Sequence, residues 1–187
     1  MKRLEVSGLR KGGPLLDEAA KAWTNAEPVA LPSECGYFQL DPEGETWLSH
    51  QPPTLTDPTL SALARVFWPG PLRIRLPHPQ GKRPWQVPAH PLAQAFLALI
   101  GPVRARWLGD PPEQGIVLVW KDPTLNLPFS EVDCACTPWR WLRSGAVDRR
   151  EVEWVAGCTT VLSGLALPQL PLLVTPSQER QLWRVDP

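Results

Sequence analysis

An α/β fold is predicted on three observations. Stretches with apolar residues at helical spacing alternate with period-2 or continuous β-branched runs, and the connections between them are short. The chain has 187 residues, 43% of them hydrophobic, enough for one domain or one domain with a short extension. Its 24 prolines do not make it a disordered chain, because such chains are poor in apolar residues and strongly charged, whereas here 19 basic residues balance 19 acidic ones.

The first helix is predicted over Leu15–Trp23, where Leu16, Ala19, Ala20 and Trp23 share a stripe. Pro28–Leu31 reads as a short buried strand stopped by Pro32, and Gly36–Leu40 as the next. Residues 41–57 are polar and turn-rich, with no regular element expected. A second helix starts at Thr56 or Asp57 as N-cap with Pro58 in its first turn, carries Leu60, Leu63, Ala64 and Phe67, and stops at Pro69-Gly70-Pro71. Leu72–Leu76 alternates apolar and basic residues as a half-buried strand does, and Pro77–Pro84 is expected to be a loop. A third helix covers Pro91–Ile100, with Leu92, Phe96 and Leu99 on one face and Gly101-Pro102 as the stop. Gly115–Trp120 reads as a strand buried on both faces. Asp148 and Glu151 suggest a capping box for a helix to Ala156. A Leu/Pro-rich stretch and a last strand at Gln181–Val185 complete the chain. The expected core includes Phe67, Trp68, Phe96, Leu99 and Val117.

The charged start, Met1–Val6, has no apolar run after it, which argues against a signal peptide. The greasiest stretch, Val161–Val174, is broken by Gly164, Pro168 and Pro171 and is shorter than the roughly 20 residues needed to span a bilayer. No membrane partner is expected. The four cysteines, Cys35, Cys134, Cys136 and Cys158, read as reduced thiols of a soluble cytoplasmic protein.

The catalytic inventory is thin. His50, His78 and His90 are scattered, and Cys134-Ala135-Cys136 lacks both the spacing of a zinc knuckle and a second pair, so no metal site is expected. If that segment is a strand, its two thiols share a face and belong to the core. There is no phosphate-binding glycine loop, and Ser163-Gly164 lacks the flanks of a nucleophile elbow. Basic residues beside aromatics are more informative. Arg73 and Arg75 share a strand face, Arg104 and Arg106 precede Trp107, and Trp139-Arg140-Trp141-Leu142-Arg143 interleaves indoles with guanidiniums. Guanidinium forks suit phosphates, and indole faces suit stacked bases. Against that stands the neutral net charge, since a nucleic-acid footprint is normally a basic stripe, and core tryptophans with solvated arginines would give the same pattern.

Several segments resemble one family. Val29-Ala30-Leu31-Pro32-Ser33-Glu34-Cys35-Gly36-Tyr37 is similar to the opening motif of YrdC-like domains. Phe67-Trp68-Pro69-Gly70-Pro71-Leu72 is similar to their Phe-Trp-Pro-Gly-Pro-Leu segment, the most specific match. Val87-Pro88-Ala89-His90-Pro91-Leu92, then Ser130-Glu131-Val132-Asp133, then Leu142-Arg143-Ser144-Gly145-Ala146 follow in the family's order. The resemblance implies a twisted, mixed, open sheet with flanking helices and a basic concave face. It places a YrdC-like domain over residues 1–155 and an extension, 156–187, packed on it. Family members include threonylcarbamoyl-AMP synthases, which use threonine, bicarbonate and ATP in tRNA modification, and domains described as binding double-stranded RNA. Carried over, Ser33 stands at a substrate-binding threonine, Tyr37 keeps an aromatic wall, Ser130 falls near a Ser-Thr pair, and Arg143 keeps an arginine that would meet phosphate.

The departures concern the site. The family's Lys-X-Arg segment is missing from the 26 residues, 41–66, that join Leu40 to Phe67. Gln86 replaces an arginine, Arg73 a threonine, Trp107-Leu108-Gly109 a Ser-Ala-Asn loop, and Phe38 a glycine. Each charge-assisted hydrogen bond is worth about 1.5–3 kcal/mol, so losing three or four removes useful ATP affinity unless other cations replace them. The expected function is therefore a divergent, non-catalytic domain. It would bind nucleotide through Ser33, Tyr37, Arg73, Ser130 and Arg143, or RNA (double-stranded RNA or tRNA) with Arg75, Arg104, Arg106, Arg140 and Trp141 added. The alternatives are an active synthase, needing ATP and Mg²⁺, and a protein-interaction relic whose cleft is plugged by Trp and Phe.

Overall fold

The computed structural model describes residues 1–6, 13–79, 81–120, 126–158 and 160–162. In chain order the elements are β1 (Lys2–Val6), α1 (Gly13–Thr24), β2 (Val29–Ser33), β3 (Gly36–Leu40), β4 (Thr46–Leu48), α2 (Pro58–Phe67), β5 (Leu72–His78) and β6 (Gly81–Gln86). They continue with α3 (Pro91–Ile100), β7 (Val103–Gly109), β8 (Ile116–Trp120), β9 (Ser130–Asp133), β10 (Arg140–Arg143), α4 (Arg149–Ala156) and β11 (Val161–Leu162). The strands form one mixed sheet in the order β1-β8-β2-β3-β7-β4-β6-β5-β9-β10-β11. It is the α/β architecture that the alternating pattern predicts. No described helix is long and apolar enough to cross a membrane.

The core divides along the sheet. Leu16, Ala19 and Ala22 of α1 and Leu92, Phe96 and Leu97 of α3 close over β1, β2, β3, β7 and β8. Leu60, Leu63 and Ala64 of α2 and Val152 of α4 close over Leu72, Ile74, Leu76, Val132 and Trp141. The N-caps of α2 and α4 are those the sequence signals, while α3 is capped by His90, whose ring accepts from Leu92 N. Asp57 Oδ1 accepts from Thr59 N at 2.7 Å and Leu60 N at 3.1 Å, with Pro58 opening α2, and Asp148 accepts from Arg150 N at 2.7 Å.

Several expectations are corrected. Residues 77–84 are not a loop: β5 runs on to His78 and forms a hairpin with β6, turning near Gly81. Lys82–Gln86 has no apolar alternation, so its strand character comes from the β5 ladder and not from periodicity. The turn-rich stretch 41–57 contains β4, which pairs with β6 and β7. Pro32 does not stop β2; beyond Ala30 that strand pairs with β3 alone, an edge-like setting that tolerates proline. Cys134 and Cys136 follow the end of β9 and share no strand face. The predicted strand at 181–185, and all of the extension from residue 163, lie outside the described residues.

Phe67 is only half-buried, while Trp68, Phe96 and Val117 are buried as expected. Leu99 is 51% exposed, because α3 faces the sheet through Leu92, Ala93, Phe96 and Leu97 instead. Leu99→Lys is therefore expected to shift the unfolding free energy by less than about 0.5 kcal/mol in a urea titration. A loss above about 1 kcal/mol would place Leu99 in the core after all.

Candidate functional site in the concave cleft

β5 alternates strictly. Leu72, Ile74 and Leu76 enter the α2/α4 core, so Arg73 and Arg75 project from the other face of the sheet. Parallel pairing with β9 sets Arg73 beside Glu131 and Arg75 beside Asp133. Glu131 is claimed by Arg75, whose Nε donates to Oε1 at 2.6 Å, while Arg73 Nη1 stays 4.0 Å from Oε2. Arg73 is only 3% exposed, and its Nε and Nη2 have no hydrogen-bond partner among the described residues. Burial pulls the guanidinium below its ordinary value, and Glu131 works against that pull. A buried cation with two idle donors is costly.

Aromatic rings surround that cation. Arg73 Cζ lies 3.9 Å from the centre of the Phe129 ring and 5.8 Å from that of Phe38. Arg143 Cζ lies 4.0 Å from the same Phe129 ring and 5.3 Å from Trp107. Trp107 meets Phe129 edge-on at 5.4 Å and donates Nε1–H to the Cys35 carbonyl at 2.9 Å. Phe129 thus joins a buried and an exposed arginine, contacts worth about 0.5–2 kcal/mol each depending on solvation. A cavity of about 320 Å³ opens there, lined by Cys35, Trp107, Asn126, Leu127, Pro128 and Arg143 among others.

Continuing the β5–β6 register beyond Ile74↔Trp85 brings Gln86 next to Arg73. Its Nε2 donates to Glu34 Oε1 at 3.4 Å, and its buried Oε1 has no partner. Glu34 Oε2 accepts from Ala89 N at 2.9 Å, and burial raises its carboxyl above the usual range. The Cys35 thiol is pushed up to about 12, first by burial and then by Glu34, so it is not a ready nucleophile at neutral pH.

Of the residues expected at the site, Arg73 and Arg143 come together. Ser33 closes a turn instead: its hydroxyl donates to the Gly36 carbonyl at 2.9 Å and accepts from Cys35 N at 3.1 Å. Gly36 there has φ +105°, and a Cβ would sit 2.3 Å from the Gly109 carbonyl oxygen. Ser130 is likewise committed, donating to Val147 O at 2.8 Å and accepting from Val147 N at 3.1 Å. Tyr37 alternates with Phe38 along β3 and feels the charge of Arg3, so the aromatic wall beside Arg73 is Phe38.

The wider basic surface is partly neutralised. Arg75 is held by Glu131, Arg106 Nη2 by Asp41 at 2.8 Å, and Arg104 Nε donates to Gly44 O at 2.7 Å. Arg140 is exposed on β10. Trp141, expected to stack on bases, is 3% exposed in the α2/α4 core with its Nε1 donating to Ser144 Oγ, so no base can reach it. Phe129 was not singled out from sequence; its position next to the Ser130–Asp133 motif was the available signal.

Among the described residues no group of three His, Cys, Asp or Glu side chains is placed to hold a metal ion. The β9 carboxylates Glu131 and Asp133 are engaged by Arg75 and Lys82, so they do not fit the Mg²⁺ that ATP chemistry would bring.

No protein-family model and no curated protein sequence matches the chain. Solved structures do match its fold. It is similar to P. abyssi Sua5, both in a double variant and in the crystal structure complexed with L-threonine, with a TM-score of 0.70 in each case and 18% and 17% identity. These matches cover 86% of this chain, which spans 62% of the Sua5 chain. It is also similar to E. coli YciO, with a TM-score of 0.63 and 15% identity, over 79% of this chain and 96% of that one.

Proposed function

We propose that this YrdC-like domain is a binding module that takes the phosphate of a nucleotide, free or within RNA, at the mouth of its concave cleft and carries out no group transfer there. The observation that carries the reading is the pair of arginines on Phe129. Arg143 is exposed and lines the cavity, and Arg73 behind it holds two donors that find no acceptor among the described residues. Trp107 offers a half-buried indole edge beside Arg143 for a base. Sua5 has been seen with L-threonine, but the hydroxyls that resemblance would assign to such a ligand, those of Ser33 and Ser130, are closed into backbone hydrogen bonds here. That favours binding over synthase chemistry.

One other reading has a specific observation behind it. Phe38, Phe129 and Trp107 fill the cleft so well that Arg73 is 3% exposed, as a plugged interaction relic would require. A salt series with ATP and with a short RNA distinguishes the two. Arg143→Ala is expected to weaken both ligands about tenfold or more and to flatten the salt slope for RNA by about one. Equal slopes for the two proteins would favour the plugged relic, and threonine-dependent release of pyrophosphate from ATP would restore the synthase.

A further inference from the structure

The two idle donors of Arg73 are not an arbitrary pair. Nη1 is the nitrogen nearest Glu131, at 4.0 Å from Oε2, while Nε and Nη2, on the other edge of the plane, find no acceptor among the described residues. Those two N–H groups form a fork, the geometry that pairs with two oxygens of one oxyanion.

The charges around the fork leave it in need of such a partner. Glu131 serves both Arg73 and Arg75, and Asp133 is engaged by Lys82, so three cations on this face meet two carboxylates. Glu34 is turned to Ala89 N and Gln86 Nε2, and Glu45, which also acts on Arg73, is exposed. A buried acceptor stands beside the fork. Gln86 is opposite Arg73 in the continued β5–β6 register, is fully buried, and has no partner for Oε1 among the described residues. An occupant that satisfies both side chains presents two oxygens to Arg73 and one O–H to Gln86.

We propose that the site takes a terminal phosphate monoester, the end of a nucleotide or of an RNA strand, and rejects the internal phosphodiester. This inference rests on the phosphate-binding reading above and names the kind of phosphate. A monoester has a second pKa of about 6, so a form with one P–OH is present near neutral pH, whereas a diester, a sulfate and a carboxylate carry no such proton there. Burial selects in the same direction. A diester leaves the fork as chain on both sides, and the almost fully buried Arg73 has no room for two exits. A terminal phosphate needs one opening, past the Phe129 ring that Arg73 shares with the cavity-lining Arg143.

The test uses one short RNA, labelled at its 3′ end, with either a 5′-phosphate or a 5′-hydroxyl. In fluorescence anisotropy the phosphorylated strand is expected to bind at least about tenfold more tightly, the worth of one charge-assisted hydrogen bond. Arg73→Lys keeps the charge but not the fork, so it should erase that preference while both strands retain their dependence on Arg143. A urea midpoint near the original's shows that this variant is folded. Inorganic phosphate should displace the phosphorylated strand at a concentration at least about tenfold below that of sulfate or acetate, because the buried Gln86 acceptor is satisfied only by an O–H. Equal affinities for the two strands, both weakened by Arg143→Ala, would overturn this inference and leave the binding reading standing; failure of either strand to bind would remove both. A preference that survives Arg73→Lys would place the terminal phosphate elsewhere, and sulfate or acetate competing as well as phosphate would make the fork a site for any oxyanion.

Discussion

Arg73→Met is expected to leave the protein at least as stable as the original, by up to about 3 kcal/mol in its favour, while abolishing nucleotide-dependent protection against unfolding. The two effects have one origin. Two guanidinium donors of Arg73 are buried without partners among the described residues, and the carboxylate beside it, Glu131, is already committed to Arg75 at 2.6 Å. A methionine fills the space between Phe38 and Phe129 with nothing to desolvate, and Glu131 keeps its ion pair with Arg75. Urea midpoints with and without ATP test both halves. A clear loss of stability would mean that Arg73 contributes to the fold, and protection that survives the substitution would place the anion elsewhere.

Gly145→Ala is expected to cost about 3 kcal/mol, at the upper end of ordinary overpacking. A Cβ there would lie 2.4 Å from the Phe129 carbonyl carbon and oxygen and 2.4 Å from the Pro128 oxygen. Those atoms are backbone, held by the Ala146 N–H to Pro128 O bond of 2.7 Å, and cannot rotate away. The strain would also move Phe129 off its two arginines, so ligand binding should fall with stability. Gly13→Ala, where a Cβ meets nothing within 4 Å, serves as the neutral control. A midpoint shift no larger than the control's would show that the 128–129 backbone gives way.

The parts of the fold that announce themselves along the chain are those with local causes. Asp57-Pro58 and Asp148 start helices because their carboxylates satisfy backbone donors two or three residues on, and Gly101 and Gly157 end them. Ile116–Trp120 is a strand by its own β-branched content. β7 was also legible: Val103 and Ala105 are buried and alternate with Arg104 and Arg106, but the arginines drew attention as a cationic cluster. β4 and β6 carried no such alternation. Three residues and a Lys-Arg-Pro-Trp-Gln run become strands because neighbours offer them ladders.

The site follows the same division. Arg73 and Arg143 could be named from the motifs flanking them, since a motif is a local string. What each of them does depended on partners distant in sequence. Parallel pairing of β5 with β9 brings Glu131, 56 residues from Arg75, into a hydrogen-bonded ion pair and leaves Arg73 only a 4.0 Å contact with the same carboxylate. The same pairing delivers Phe129, a lone apolar residue outside any periodic stripe, onto both guanidiniums. Trp141 shows the converse. Its neighbours Arg140 and Arg143 suggested a base-stacking surface, but the pleat turns the indole into the α2/α4 core. Sequence alone determined the helices, the Asp57 and Asp148 caps and the two arginines, because those rest on contacts within a turn or a motif. Which cations are neutralised, which rings are buried and which donors are left idle was decided by strand register, where long-range pairing sets every side chain's face and neighbour at once.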